Sequence, residues 1–498
     1  MSLRRASLGV VHTVLLLAGV DVAAAAQATW VEVRTPHFTI VSNAGEGRAR
    51  EVGWQFEQFR GAIESGWPWA RVQLDRPVIV IAAKDEGGMR TLLPAYFERP
   101  RDTWPSSVLV TAPDRHYIAI RSDIRGEDNA VMNPSMTAYW SYTMLTLRRA
   151  FAHDLPLWFR IGMAEVLSNT VVRDTELRFG LPIPWHISAL QEGRLKLRAL
   201  LEIESASTSF TDGENRRRFD AQCWALMHYL LFGRPDDLAA RVNDLARRLL
   251  DGQTSSAAVE AAFGSLDALE TAYIRYAQKP VFQYARMKID ANTTPKAFSS
   301  RTLAVHESRV VQAAFYAATH RPAEARGAVA DARKSSPASS GSYEAEASLL
   351  DSEGKRDEAL AAYVKATELG STNGYVYYRL AALTWGTDPD EETLGRIETL
   401  LKRAVTLNDR FAPAYTLLAD AVARGSQPSA ALEFATKASA LEPGEAAPRL
   451  ALARVSWRLG RRDEARAHAL AARVLADSDQ ERKEVQQLLD FFDRASPK

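Results

Sequence analysis

The feature that most limits what this chain can fold into is a phase in its last third. The tripeptides Ala323-Glu324-Ala325, Asp357-Glu358-Ala359, Ser429-Ala430-Ala431 and Asp463-Glu464-Ala465 recur there in similar surroundings. Taking the last residue of each, and Ile397 from the same alignment, the steps are 34, 38, 34 and 34 residues. Seven residues after these anchors stand Ala332, Ala366, Ala404, Ala438 and Ala472, and Pro337 and Pro443 follow five residues further on, where a helix pair should end. An irregular helical bundle has no reason to keep three identical intervals. Small residues at fixed places imply two helices crossing closely within each unit, because a bulky side chain would force them apart. The longer step has its extra residues around Thr387-Asp388-Pro389-Asp390, a loop-like insertion.

This pattern resembles the tetratricopeptide repeat. The resemblance covers residues 305–477 and rests on phase more than on residue type, since the Trp, Gly and Tyr usual in the first helix are mostly absent. It implies an all-α solenoid of about five repeats, ended by an amphipathic capping helix over 480–492 within the segment 478–498. The first helices of such an array line a groove for a peptide or protein partner. Tyr377, Tyr378, Arg379, Tyr415 and Arg449 fall on or near those inner positions and are the candidate partner contacts.

Composition removes several alternatives. The 498 residues carry 62 Lys and Arg against 61 Asp and Glu, so no global field favours nucleic acid or an anionic membrane. The single cysteine, Cys223, excludes an intramolecular disulfide and a cysteine-rich zinc site. Residues 1–28 read as a Sec-type signal peptide: Arg4 and Arg5, an apolar stretch over 8–20, then small residues for cleavage near Ala26 or Ala28. An uncleaved anchor is the alternative. The expected location is periplasmic or secreted, with no transmembrane segment after cleavage.

Between the signal and the repeats the pattern is first mixed, then helical. Residues 30–33 and 37–41 alternate like half-buried strands around a Thr35-Pro36 turn, and Ser42-Asn43 can cap a helix over 46–65. The apolar run 78–83 reads as an interior strand, while 107–111 and 116–122 look like a strand pair. From 135 to about 276 the signal is almost wholly helical, and 285–304 reads as a linker.

Two neighbouring segments carry the chemical question: 138–145, Ala-Tyr-Trp-Ser-Tyr-Thr-Met-Leu, and 155–165, Leu-Pro-Leu-Trp-Phe-Arg-Ile-Gly-Met-Ala-Glu. With Thr35-Pro36-His37-Phe38-Thr39 before them and residues 222–230 after, they resemble the peptidase-MA-like gluzincin domain found ahead of tetratricopeptide repeats in exported bacterial proteins. The resemblance runs over about 30–284 and implies an α+β zincin-like domain across 29–284, a mixed sheet with helices. In active members the first segment reads His-Glu-Tyr-Val-His, two zinc-binding imidazoles one helical turn apart with a glutamate that polarises water. A glutamate on the next helix supplies the third ligand. Carried over residue by residue, the histidine positions hold Trp140 and Met144, the base position Ser141 and the third-ligand position Ile161. Only Glu165, at an outer acid position, survives. An indole, a thioether and an isoleucine do not make a zinc site. The resemblance therefore implies a degenerate site with no catalytic residue, no metal and no cofactor, its cavity filled by packing.

Other residues have bland readings. His153-Asp154 sits in an inter-helix loop, His228 is read as a satisfied core histidine and Cys223 as a small buried hydrophobe. Glu165 is expected to accept from the backbone, Arg160 or Arg173. Arg216-Arg217-Arg218 reads as a solvated helix start, and Asp220 replaces a Tyr common in relatives. The expected function is an exported, non-catalytic adaptor that binds a protein or peptide through its repeats, with strand 116–122 as a second, edge-pairing surface. The alternative is an atypical peptidase or other hydrolase with a relocated active site. Nucleic acid is not an expected partner.

Overall fold

A computed structural model describes residues 29–100, 106–124, 132–147, 155–204, 213–233, 238–279, 281–290, 292–386, 388–425 and 428–495. The expected signal peptide and His153-Asp154 lie outside these residues.

The N-terminal region is a mixed sheet with helices. Six strands lie in the order β4-β5-β3-β2-β1-β9: Ser107–Thr111, His116–Arg121, Val78–Ala83, Phe38–Ser42, Val31–Arg34 and Ser299–Thr302. β2, β3 and β5 run parallel, while β1, β4 and β9 are antiparallel to their neighbours. The helix Glu46–Gly66 provides the crossover between β2 and β3, with Val52, Phe56, Phe59 and Ile63 buried as a single apolar face. Its N-cap is Gly45, at φ 91°, rather than Ser42 or Asn43. The Asn43 carboxamide oxygen instead accepts from the Lys84 N–H at 2.7 Å.

β3 is buried on both sides, as its unbroken apolar run requires. Val78, Val80 and Ala82 face one core with the 46–66 helix, and Ile79, Ile81 and Ala83 face a second. Phe315, Tyr316, Ala325 and Val329 of the first repeat fill that second core, and Tyr117 meets Phe315 edge-on at 5.4 Å. The sheet and the start of the repeat array thus share a hydrophobic core, while the later repeats pack in cores of their own.

Three expectations fail here. The segment 285–304 is no linker: β8, Ala285–Lys288, pairs with β7, Glu176–Phe179, and β9 pairs with β1. Both strands are only four residues long and neither has a fully buried residue: β8 alternates Ala-Arg-Met-Lys too briefly to stand out, and β9, Ser-Ser-Arg-Thr, has no apolar residue at all. β7 and the short β6, Val171–Val172, also interrupt the stretch expected to be helical. The strand 116–122 is not an edge either, because β5 is paired on both sides; the edges of this sheet are β4 and β9.

The C-terminal region is five helix pairs and a final helix. The pairs are Val305–Ala318 with Pro322–Ser335, Ser340–Ser352 with Arg356–Glu368, Gly374–Thr384 with Glu391–Leu407, Ala412–Arg424 with Pro428–Leu441, and Ala446–Arg458 with Arg462–Leu475. The helix Asp479–Ala495 closes the array by burying Val485, Leu489 and Phe492. All five anchors, Ala325, Ala359, Ile397, Ala431 and Ala465, are at most 1% exposed, and the five alanines seven residues later are fully buried. The 38-residue step goes partly into the 385–390 connection and partly into the helix, which starts six residues before Ile397 against three before Ala359. An ion pair repeats with the same phase: Arg326 with Glu353 and Arg466 with Asp493, each on the residue after an anchor.

Such tight contacts have a direct consequence. Ala359→Leu or Ala431→Leu should overpack the helix crossing and cost roughly 1–3 kcal/mol. Chemical denaturation followed by circular dichroism would show a lower midpoint; an unchanged midpoint would contradict the assigned phase.

Candidate functional site

The helices Met136–Leu147 and Leu157–Ser168 lie side by side and carry all five positions singled out by the zincin resemblance. Each helix is apolar on most of its surface, so both are inserted into the core rather than laid on it. Ile161 and Ser141 are buried, and Met144 and Trp140 are half-buried against the same core. Gly162 permits the close approach of a third helix, Gly213–Phe232: a Cβ at this position would lie 2.7 Å from the Cys223 carbonyl oxygen.

Glu165 is the hub. Its Oε1 accepts from the Trp140 indole Nε1–H at 3.0 Å, and its Oε2 pairs with His186 Nε2 at 2.8 Å. These are its partners, in place of the backbone, Arg160 or Arg173. His186 comes from the short helix Pro184–Ala189 and is buried. Across the site, Arg216 Nε donates to both Asp220 oxygens at 2.8 Å, one turn apart on the 213–232 helix. Burial pushes the Asp220 carboxyl up to about 6; Arg216 opposes the shift and the Glu165 charge adds to it. A cavity of about 370 Å³ remains, lined by Trp140, Glu165, Trp185, His186, Arg216 and Asp220.

The donor set does not fit zinc. Among the described residues no group of three or more His, Cys, Asp and Glu side chains is placed to hold a metal ion. Trp140, one of the positions singled out by the resemblance, presents an indole whose N–H donates to Glu165. His186 carries the Glu165 carboxylate on Nε2, and its Nδ1 is enclosed with no partner among the described residues. Burial raises the Cys223 thiol well above its usual range, with Asp220 and Glu165 adding to the rise, so it is no ready nucleophile. His228 is a satisfied core histidine: Nε2 donates to the Gly180 carbonyl at 2.8 Å, and Nδ1 accepts from the Tyr276 hydroxyl at 2.9 Å. Burial lowers it to about 4.

Sequence reasoning missed His186. It stands 21 residues from Glu165, a separation that no helical or ligand-spacing rule connects. It also missed the pairing of His37 with the buried Glu57, at 2.8 Å between Nδ1 and Oε2.

The repeat candidates fall on three successive first helices. Tyr377, Tyr378 and Arg379 lie on 374–384, Tyr415 on 412–424 and Arg449 on 446–458. Several are already engaged within the array. Arg379 makes two hydrogen bonds to Asp351, at 2.7 and 2.8 Å, Tyr378 packs edge-on against Phe411 at 5.1 Å, and the Tyr377 hydroxyl donates to the Ser371 carbonyl at 2.9 Å. Tyr415 lies 6.4 Å from Phe434, and Arg449 is half-buried beside His468. Among the described residues no helix is long and apolar enough to cross a membrane.

No protein-family model matches this chain, and no curated protein matches it. Solved structures do. YrrB, described as a TPR protein with an unusual peptide-binding site, is 17% identical over 36% of this chain and 90% of its own, with a TM-score of 0.31. PilW, a widely conserved type IV pilus biogenesis factor, is 14% identical over 38% and 87%, with a TM-score of 0.31. Pseudomonas aeruginosa pilF is 16% identical over 38% and 88%, with a TM-score of 0.30. The chain combines an N-terminal mixed-sheet region with a C-terminal array of helix pairs.

Proposed function

We propose that this chain is an exported, non-catalytic adaptor that binds a protein or peptide through its repeats, and that its N-terminal domain is a zincin-like pseudo-peptidase. One observation supports the second half most: Trp140, at a histidine position of the zincin resemblance, donates its indole N–H to Glu165, a partner that cannot serve as a zinc ligand. The first half rests on the helix-pair array, an architecture whose extended surfaces suit protein contacts. Export rests on the basic and apolar pattern of residues 1–28.

Zinc content tests the proposal. Mature protein, purified and dialysed, should contain well under one zinc per chain by atomic emission, and a chelator should leave its melting temperature unchanged. One tightly held zinc per chain would overturn the pseudo-peptidase reading. The intact mass of exported protein should correspond to cleavage near Ala26 or Ala28; a retained N-terminus would mean anchorage.

The cluster of Glu165, His186, Arg216 and Asp220 around a cavity gives the alternative, a relocated hydrolase, a specific observation of its own. Hydrolysis of casein or a chromogenic ester that disappears in both Glu165→Ala and His186→Ala would favour it. Activity absent from the unaltered chain, or indifferent to both substitutions, would leave the cluster structural.

A further inference from the structure

The repeats do not stand clear of the sheet. Asn408 Nδ2 donates to the Asp75 carbonyl at 3.0 Å, Arg410 Nη2 to the Gln73 carbonyl at 2.9 Å, and Arg71 Nη1 to the Leu441 carbonyl at 2.8 Å. The most specific of these contacts is made by the β4–β5 turn. That turn is closed by the Ala112 N–H donating to the Arg115 carbonyl at 2.9 Å. Its tip carries Asp114 and Arg115, whose side chains pair with each other at 2.6 Å.

The tip meets the first-helix side of the second and third repeats. Asp114 Oδ2 accepts from Asn373 Nδ2 at 3.0 Å. Asn373 is oriented for this, because its Oδ1 caps the 374–384 helix by accepting from the Tyr375 N–H at 3.1 Å. Only the amide NH₂ is then left to face outward. Glu344, on the second repeat's first helix, is held by the Ser371 hydroxyl at 2.8 Å and lies close enough to Arg115 to favour its charge. The seat therefore offers a donor to a carboxylate and a carboxylate to a guanidinium. A cleft of about 660 Å³ continues beside the turn, lined by His37, Asp75, Glu344, Tyr375 and Arg410 among others.

We propose that this face of the second and third repeats is a docking seat for a reverse turn presenting a carboxylate beside a guanidinium, filled in the isolated chain by its own β4–β5 turn, which a partner's segment must displace. This rests on the adaptor reading above. The occupant has a defined chemistry, an acidic residue followed by a basic one, and the adjoining cleft leaves room for more of an incoming segment than the chain's own turn uses.

The test uses the full chain and a fluorescent synthetic peptide with the sequence of residues 107–121. Asp114→Ala with Arg115→Ala empties the seat. By anisotropy that variant should bind the peptide at least about tenfold more tightly than the unaltered chain, the size of one charge-assisted hydrogen bond. Adding Asn373→Asp keeps the helix cap but sets a carboxylate against the peptide's own, and should return binding to the unaltered level. Should the emptied variant fail to fold, Asn373→Asp alone serves: amide exchange over residues 112–116 should accelerate about tenfold, and an unchanged rate would overturn the proposal. A folded emptied variant that binds no better than the unaltered chain also overturns it. Equal peptide binding by every variant would place capture elsewhere on the repeats, overturning the seat while leaving the adaptor reading intact.

Discussion

Replacing Trp224 by alanine should destabilise the N-terminal domain by about 3–5 kcal/mol, while Trp224→Phe should cost no more than about 1–2 kcal/mol. Trp224 is fully buried on the 213–232 helix, with its ring 5.8 Å from that of His186 and 5.0 Å from that of His228. Truncation to alanine leaves a cavity among residues that cannot collapse onto it, because His228 is fixed at both ring nitrogens. The indole Nε1–H finds no acceptor among the described residues, so phenylalanine keeps most of the volume and sheds a buried donor that gains nothing. Urea unfolding of the two variants decides the matter. A phenylalanine variant as damaged as the alanine one would mean that the indole N–H has a partner, such as a buried water.

The second large effect is a pH dependence that the unaltered chain conceals. Asp220 titrates near 6 in the folded protein against an ordinary value of 3.8, so the folded form holds its proton more tightly than the unfolded chain. Its ionisation penalty is absent below about pH 4 and complete above about pH 6, and this group makes stability fall as pH rises through that window. His228 works in the opposite direction. Its folded value near 4 lies below the ordinary 6.5, so the unfolded chain takes up a proton first and stability falls as pH drops from about 6.5 to 4. Each contribution is on the order of 3 kcal/mol, and the two windows overlap.

Asp220→Asn removes one of the opposed contributions. The difference in unfolding free energy between this variant and the unaltered chain should therefore grow in the variant's favour by about 3 kcal/mol from pH 4 to pH 6. Denaturation midpoints at half-unit pH steps would measure it. Parallel curves would mean that Asp220 stays ionised in the folded state, held by Arg216 more strongly than burial opposes it.

What the sequence determined by itself is what depends on local period. Helix crossings within a repeat need a compact, buried residue at one phase, a small one in four of the five repeats, and that requirement returns after 34 residues in three of the four steps; each anchor is accordingly buried. The double-sided burial of β3 follows from its unbroken apolar run, and the apolar face of the 46–66 helix from its spacing. A histidine within the apolar stretch of the 213–232 helix had to be satisfied.

Tertiary structure decided which distant groups meet. Glu165 finds Trp140 and His186 on two other helices, and Asp114 finds Asn373 across 259 residues. β9 joins the sheet beside β1, from a segment with no apolar signal. The physical reason is common to all three. A hydrogen bond between remote segments is chosen by which polar groups the packed cores bring within reach, and a buried polar group without a partner is costly, so some pairing is required. No period in the chain records which pairing it will be.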